Sequence, residues 1–249
     1  MHKNKNTLLK RIKPYIVIAF SFLVFGHLSA QKYSNNARVL NLERYDKNPY
    51  HFGFALGLNQ MDFRMKRTED YRLIDTLYAV NTVAQPGFNI GIVSNLRLTD
   101  YLDLRFIPSL LFGERVLQYK YLNRALLYDE EKRIESNILS FPLLIKYKAD
   151  RITNTRVYVI GGISYTLDLA SQSKKKELFE EVQAVKIFRN DFMYEVGAGF
   201  DFYLIYFKLA LELKYATGHR NLLKQENTLY TTTIDKLNSQ MFIFSVTFE

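Results

Sequence analysis

His51-Phe52-Gly53-Phe54-Ala55-Leu56-Gly57-Leu58-Asn59 alternates, residue by residue, between bulky apolar side chains and small or polar ones. A period of two marks a β-strand, whose successive side chains point to opposite faces. Phe52, Phe54, Leu56 and Leu58 form one row; His51, Gly53, Ala55, Gly57 and Asn59 form the other. A soluble barrel packs its bulky row inward, whereas a barrel in lipid turns that row outward and keeps a polar interior. The contrast between the two rows therefore points to lipid.

The same two-faced pattern runs from this first stretch, at 50–63, through seven more near 87–98, 102–116, 135–148, 156–168, 191–202, 207–217 and 240–249. Each reaches the roughly 9–11 residues that a tilted strand needs to cross a bilayer. Beyond residue 30 no apolar run approaches the length of a transmembrane helix, which leaves a closed sheet as the way to satisfy every backbone group in hydrocarbon. The expected fold is all-β: an eight-stranded antiparallel transmembrane (outer-membrane) β-barrel over residues 50–249. Two features fit it poorly. Tyr158 and Ile160 fall on the polar row of their strand, and Pro108 and Pro142 lie inside strands, where each removes a ladder donor. Bulges are expected at both prolines.

Parity checks the faces, because residues directly opposite in an antiparallel pair share a face. Pairing Leu98 with Leu102 leaves the three-residue turn Thr99-Asp100-Tyr101 and preserves even outward positions. Pairing Phe202 with Phe207 leaves Tyr203-Leu204-Ile205-Tyr206, and this even loop reverses the parity, as the two flanking patterns require. Connections alternate long and short along the chain, and some long loops are expected to continue as strands above the membrane. Short turns in bacterial barrels are periplasmic and long loops extracellular, so both termini are expected in the periplasm.

The N-terminus sets the compartment. Lys3, Lys5, Lys10, Arg11 and Lys13 precede an apolar run from Tyr15 to Phe25, and Leu28-Ser29-Ala30 closes it with small residues. Residues 1–30 read as a signal peptide cleaved after Ala30. The absence of cysteine excludes a lipoprotein anchor, disulfides and thiolate metal sites. Removing those five cations, with no acid among them, takes the net charge from +9 to +4. The remainder is interspersed with acids, Lys174-Lys175-Lys176 before Glu177 included, so no basic stripe for nucleic acid results. Residues 31–49 form a periplasmic N-terminal segment, expected to be a disordered arm, with a partner-binding arm as the alternative.

The inner rows carry chemistry of a restricted kind. Arg97, Arg105, Arg115, Lys146, Lys208 and Lys214 face Asp103, Asp168, Glu195, Asp201 and Glu212. Eight strands enclose a space that side chains fill, and unpaired buried charge is costly. The expected lumen is a paired network built on Arg97, Arg105, Glu195, Asp201, Glu212 and Lys214; a narrow ion path is the alternative. After residue 30 only His51 and His219 remain as histidines, and neither spacing defines a nucleophile, although Glu226 and Ser239 lie within sequence reach of His219. His51 is expected in a polar girdle. No Gly-rich phosphate loop or His/carboxylate metal spacing appears, so neither an enzyme nor a cofactor is expected. Tyr50, Tyr101, Tyr147, Tyr203, Tyr206 and Tyr215 lie at strand ends, where aromatic belts anchor a barrel.

The run from His51 to Asn59, with Asp62-Phe63 after it, resembles the opening strand of the PorT family, outer-membrane proteins of the Bacteroidota. Ser140-Phe141-Pro142-Leu143-Leu144-Ile145-Lys146-Tyr147, Gly197-Ala198-Gly199-Phe200-Asp201 and Glu212-Leu213-Lys214-Tyr215 resemble strands of the wider small-barrel superfamily. The PorT resemblance implies a component of the type IX secretion system, which exports large proteins and, in gliding species, supports motility. It carries no catalytic or ligand residues. The implied partners are outer-membrane lipid, lipopolysaccharide and other secretion components. A stand-alone surface barrel that binds a ligand or host surface through long extracellular loops is the competing reading.

Overall fold

The computed structural model describes residues 40–68, 77–123, 126–170, 186–224, 231 and 233–249. Its strands are β1 Tyr50–Arg67, β2 Leu77–Val83, β3 Gln85–Arg97, β4 Leu102–Phe106, β5 Ser109–Asn123, β6 Leu126–Lys148, β7 Thr155–Asp168, β8 Asn190–Tyr203, β9 Lys208–Gly218 and β10 Ile234–Phe248. All pairings are antiparallel, and β1 pairs with β10 on one side and β3 on the other, which closes the sheet. β2 with β3, and β4 with β5, are two segments of one path along the wall, so the ring has eight strands. Closure leaves the wall without an edge, the condition for a sheet in lipid.

The wall is inside out relative to a soluble barrel. In β1, Phe52 and Leu58 are 69% and 67% exposed while Ala55 and Asn59 are each 4% exposed. The same division holds around the ring: Ile92, Ile145, Val159, Val196, Leu213 and Phe242 face outward. Ring stacking between neighbouring strands, such as Phe54 on Phe248 and Phe88 on Phe112, both at 4.8 Å, knits this outer belt together.

The turn between β3 and β4 has the expected register, with Leu98 N–H donating to the Leu102 carbonyl at 2.9 Å. The turn between β8 and β9 has four residues as expected, but they are Leu204 to Phe207, and Phe202 pairs with Leu209 rather than Phe207. The parity survives this shift. Tyr203, buried inside the barrel, extends the ladder by pairing with the inward Lys208.

The expected bulges at the prolines do not occur. On both sides of Pro108 the register is unchanged, against β3 (Ser94↔Phe106, Gly91↔Ser109) and against β6 (Phe106↔Leu143, Ser109↔Ser140). At Pro142 the ladder instead absorbs the missing donor locally. Ile107 still donates to the Pro142 carbonyl (3.4 Å), and Ser109 Oγ donates to the Ile107 carbonyl (2.7 Å), supplying the donor that Pro142 lacks. Pro108 interrupts the strand without inserting a residue.

Strands continue past the apolar belt at the long-loop end, as expected. β5 and β6 pair as far as Asn123↔Leu126, and Glu114, Glu131 and Arg133 take over the outer surface there. Inside this extension Phe63, Val80, Leu117, Tyr119, Ile187, Leu222, Leu223 and Leu237 form a buried apolar cluster, with the bridge Ile187↔Leu223 folding two connecting segments inward. Leu143, 45% exposed in the apolar belt on β6, tests the orientation of the wall. Leu143→Arg should lower unfolding stability in lipid vesicles by about 2–4 kcal/mol, the cost of a cation at the bilayer midplane. Unchanged stability would place that face in water.

Candidate functional site: the filled lumen

Arg105 on β4 is completely buried in the interior. Its Nη1 donates to Glu212 Oε2 on β9 and its Nη2 to Glu249 Oε1 beyond β10, each at 2.9 Å. In the order of the ring β4 and β9 lie opposite each other, so this contact ties two facing walls. Lys208 Nζ reaches the other oxygen of Glu249 at 2.7 Å, and the Tyr158 hydroxyl donates to Glu212 Oε2 at 2.8 Å.

Around this clamp the other charges pair in turn. Lys146 on β6 donates to both oxygens of Asp201 on β8 (2.9 and 2.7 Å) while its ammonium sits 3.6 Å above the Tyr158 ring. Lys148 binds Asp103 at 2.6 Å, and Asn95 Nδ2 donates to the second Asp103 oxygen. Lys214 lies 3.5 Å from Glu195 and 3.5 Å from Glu212. Arg105, Lys146, Lys148, Lys208 and Lys214 thus meet Asp103, Glu195, Asp201, Glu212 and Glu249, a balanced set. Balance is the condition for burial, since an ion without its partner there is strongly destabilising. Tyr158 fits because Gly199 stands opposite it in the ladder; a Cβ at Gly199 would fall 2.5 Å from the tyrosine Oη and Cζ.

Above this layer the lumen is filled mainly by apolar side chains, with Val93, Ile107, Leu144 and Ile160 in one cluster and Met61, Leu111, Ile138, Met193 and Met241 in the next, beside the buried polar Asn59, Asn89, Ser140 and Ser164. A second ionic tier follows. Arg115 donates to Asp168 Oδ2 (2.8 Å), Ser239 Oγ (2.9 Å) and Ser136 Oγ (2.8 Å), and its guanidinium lies 4.4 Å from the Phe63 ring centre. Side chains therefore occupy the interior in layers, from the ionic clamp to the apolar cluster at the long-loop end.

The short-turn end is closed by a segment expected to be a disordered arm. Residues 40–49 instead form a turn and a short 3-10 helix, Tyr45–Lys47, bound across the mouth. Asp46 accepts from Arg156 Nη1 (2.9 Å) and the Tyr203 hydroxyl (3.1 Å) and lies 3.5 Å from Arg151. Tyr45 stacks on His51 with ring centres 3.8 Å apart and donates its hydroxyl to Glu249 Oε2 at 2.9 Å, joining this cover to the clamp. Burial alone would raise the Asp46 carboxyl, but Arg156, the Tyr203 hydroxyl, Arg151 and Lys148 together hold it below the ordinary carboxylate value. Burial, then the adjacent Glu249, push the Tyr45 hydroxyl well above its usual value, so it remains a donor.

Of the six residues assigned to the network from the sequence, the structure brings Arg105, Glu195, Asp201, Glu212 and Lys214 together. Arg97 stands apart: it lies at the rim and pairs with Asp100 in the β3–β4 turn. Ala30, the basic run at 174–176 and Glu226 lie outside the described residues. His51, on the inner row at the start of β1, has Nε2 2.8 Å from the Tyr45 carbonyl. Tyr203 likewise faces inward, unlike the exposed Tyr50, Tyr101, Tyr147 and Tyr206. Ser239 is held by Arg115 on the inner face, whereas His219 is exposed with its ring edge-on to Tyr194. Sequence reading passed over Tyr158, Lys148, Asp46 and Glu249 as network members. The parity of Tyr158 was a usable signal, since a tyrosine on the inner row needs a partner for its hydroxyl.

A closed antiparallel ring with apolar side chains outside and paired charges inside defines an integral outer-membrane barrel. The chain belongs to the outer membrane protein beta-barrel domain family, which it matches over residues 29–224. Among solved structures it is similar to Neisserial surface protein A (NspA), with 12% identity, TM-score 0.40, and 80% of this chain covering 98% of that one. It is also similar to the outer membrane protein OprG from Pseudomonas aeruginosa, with 12% identity, TM-score 0.39, and coverage of 81% and 96%. No protein of curated function is detectably similar to it in sequence. Among the described residues, no group of three or more His, Asp or Glu side chains is arranged to hold a metal ion.

The Lys146–Asp201 pair tests whether the lumen depends on charge balance. Lys146→Met alone should cost about 3–5 kcal/mol, a large part of a typical net stability of about 5–15 kcal/mol. The double variant Lys146→Met/Asp201→Leu should recover most of that loss in a urea double-mutant cycle. Additive losses would mean that the two charges act independently.

Proposed function

We propose that the protein is a non-catalytic outer-membrane barrel supporting protein export by the type IX secretion system, as an assembly or stabilising factor for a larger translocon. In gliding species the same role extends to motility. The filled lumen carries this reading. Arg105, Lys146, Tyr158 and Glu212 occupy the interior and residues 40–49 lie across one mouth, so a cargo protein has no path through the barrel. Any part in export must then be played by its surfaces. The link to this machinery is the resemblance of His51 to Asn59, with Asp62-Phe63, to the opening strand of the PorT family.

In this reading the chain is cleaved after Ala30, the short turns and both termini lie in the periplasm, and the long loops face outward. Contacts with other secretion components and with lipopolysaccharide follow from that placement. Arg64, Lys66 and Lys236, exposed beyond the apolar belt on β1 and β10, suit the anionic lipid headgroups. The competing reading, a surface barrel that captures a ligand or host surface, draws on the β5–β6 hairpin, which projects past the belt.

Deletion of the gene should abolish or sharply reduce export of type IX cargo, measured by immunoblotting of culture supernatant, and the wild-type gene should restore it. A β5–β6 hairpin shortened beyond Tyr121↔Tyr128, which keeps Arg115 and the buried apolar cluster, should complement equally well. Normal export in the deletion strain would overturn the proposal, and loss of surface binding by the shortened hairpin would favour the competing reading.

A further inference from the structure

The turn that joins β8 and β9 is apolar where a water-facing turn ordinarily carries Gly, Asn, Asp or Ser. From Phe202 to Phe207 the sequence reads Phe-Tyr-Leu-Ile-Tyr-Phe. The strands end at Tyr203↔Lys208, and Leu204 N–H donates to the Phe207 carbonyl at 3.0 Å, so the tip is tight. Tyr203 turns inward, which leaves Leu204, Ile205, Tyr206 and Phe207 outside; Ile205 and Tyr206 are 69% and 88% exposed.

The other two short turns are built differently. In the β3–β4 turn Asp100 holds Arg97, and Thr99 Oγ1 accepts from Leu102 N–H at 3.0 Å. In the β6–β7 turn Arg151 Nε donates to the Thr153 carbonyl (2.8 Å) and its Nη2 to Asn154 Oδ1 (2.9 Å). Both satisfy their polar groups in a way suited to water. Only the β8–β9 turn, among these three, presents a purely apolar and aromatic tip.

The geometry also supplies the occupant. The outward row of β8, with Phe192, Tyr194, Val196 and Phe200 exposed, runs into this turn without a polar break. On its other flank the Phe207 ring lies 5.9 Å from Phe248, which stacks on Phe54 of the belt. The turn is thus continuous with the lipid-facing surface. We propose that Leu204, Ile205, Tyr206 and Phe207 form a one-sided lipid anchor, inserted at the boundary between acyl chains and headgroups and seating the barrel more deeply on its β8–β9 side. Peptide groups at the tip lie outside the ladder and need water, which that boundary supplies and the hydrocarbon interior does not. Aromatic side chains favour the same level. The inference rests on the barrel fold and not on a role in secretion, and it holds for either leaflet.

The chain contains no tryptophan, so a single substitution makes a local reporter. The full chain carrying Tyr206→Trp is reconstituted into phosphatidylcholine vesicles with acyl chains brominated near the ester end, and compared with Ile152→Trp on the β6–β7 turn. The Tyr206 variant should be quenched several-fold more strongly by the brominated lipid, emit at shorter wavelength and be shielded from acrylamide, while Ile152→Trp shows the reverse. Ile205→Trp serves as a second reporter should the first variant fail to fold. Free quenching by acrylamide with no effect of brominated lipid, in whichever of Tyr206→Trp and Ile205→Trp folds, would overturn the proposal and leave the turn to a protein partner.

Discussion

Arg105 reaching across the lumen to Glu212 and Glu249 is the contact on which the interior depends. It joins opposite walls, and each carboxylate it holds is shared: Glu212 with Tyr158, Glu249 with Lys208 and Tyr45. Pairs of this kind exact a desolvation cost, and in a soluble protein an apolar core would often be as stable. A barrel in lipid has used its bulky apolar row on the outside. Near the short turns its inner row is left with small and charged residues, and stability there requires that each charge of the clamp find an opposite.

That constraint explains the shape of the whole interior. The charged layer near the short turns is balanced and bound to the cover at residues 40–49 through Tyr45 and Glu249. The apolar layers above it separate the clamp from the Arg115 tier, which uses serines of two strands as well as Asp168. What remains for interaction is the surface: the lipid belt, the projecting strands at one end, and the cover and turns at the other. A supporting role in a larger assembly is consistent with such a molecule.

Most of the wall was legible in the sequence because period-two alternation and the contrast between rows are local properties. Phe52 and Gly53 reveal their faces without reference to any other strand. The errors arose where a position is decided by distant residues. Tyr203 looked like a girdle residue because a tyrosine at a strand end usually is one; it continues the inner row of β8, and its hydroxyl meets Asp46, which lies far away in the chain. The β8–β9 ladder accordingly runs on to Tyr203↔Lys208. Pro108 and Pro142 suggested bulges, yet Ser109 Oγ supplies a donor that strand patterning does not show. The segment before β1 lacks periodicity, and its order comes from the barrel it covers. Arg97 shares the parity of the inner row but stands at its last position, within reach of Asp100. Parity fixes direction, and only register decides which charges meet.

The most direct test of a filled, closed barrel is the conductance of the purified full chain in a planar phospholipid bilayer at neutral pH. The account predicts insertion without steady current, because the ionic clamp and the apolar layers leave no continuous water path. Sustained ohmic steps from the folded protein, of the kind a water-filled pore gives, would contradict it.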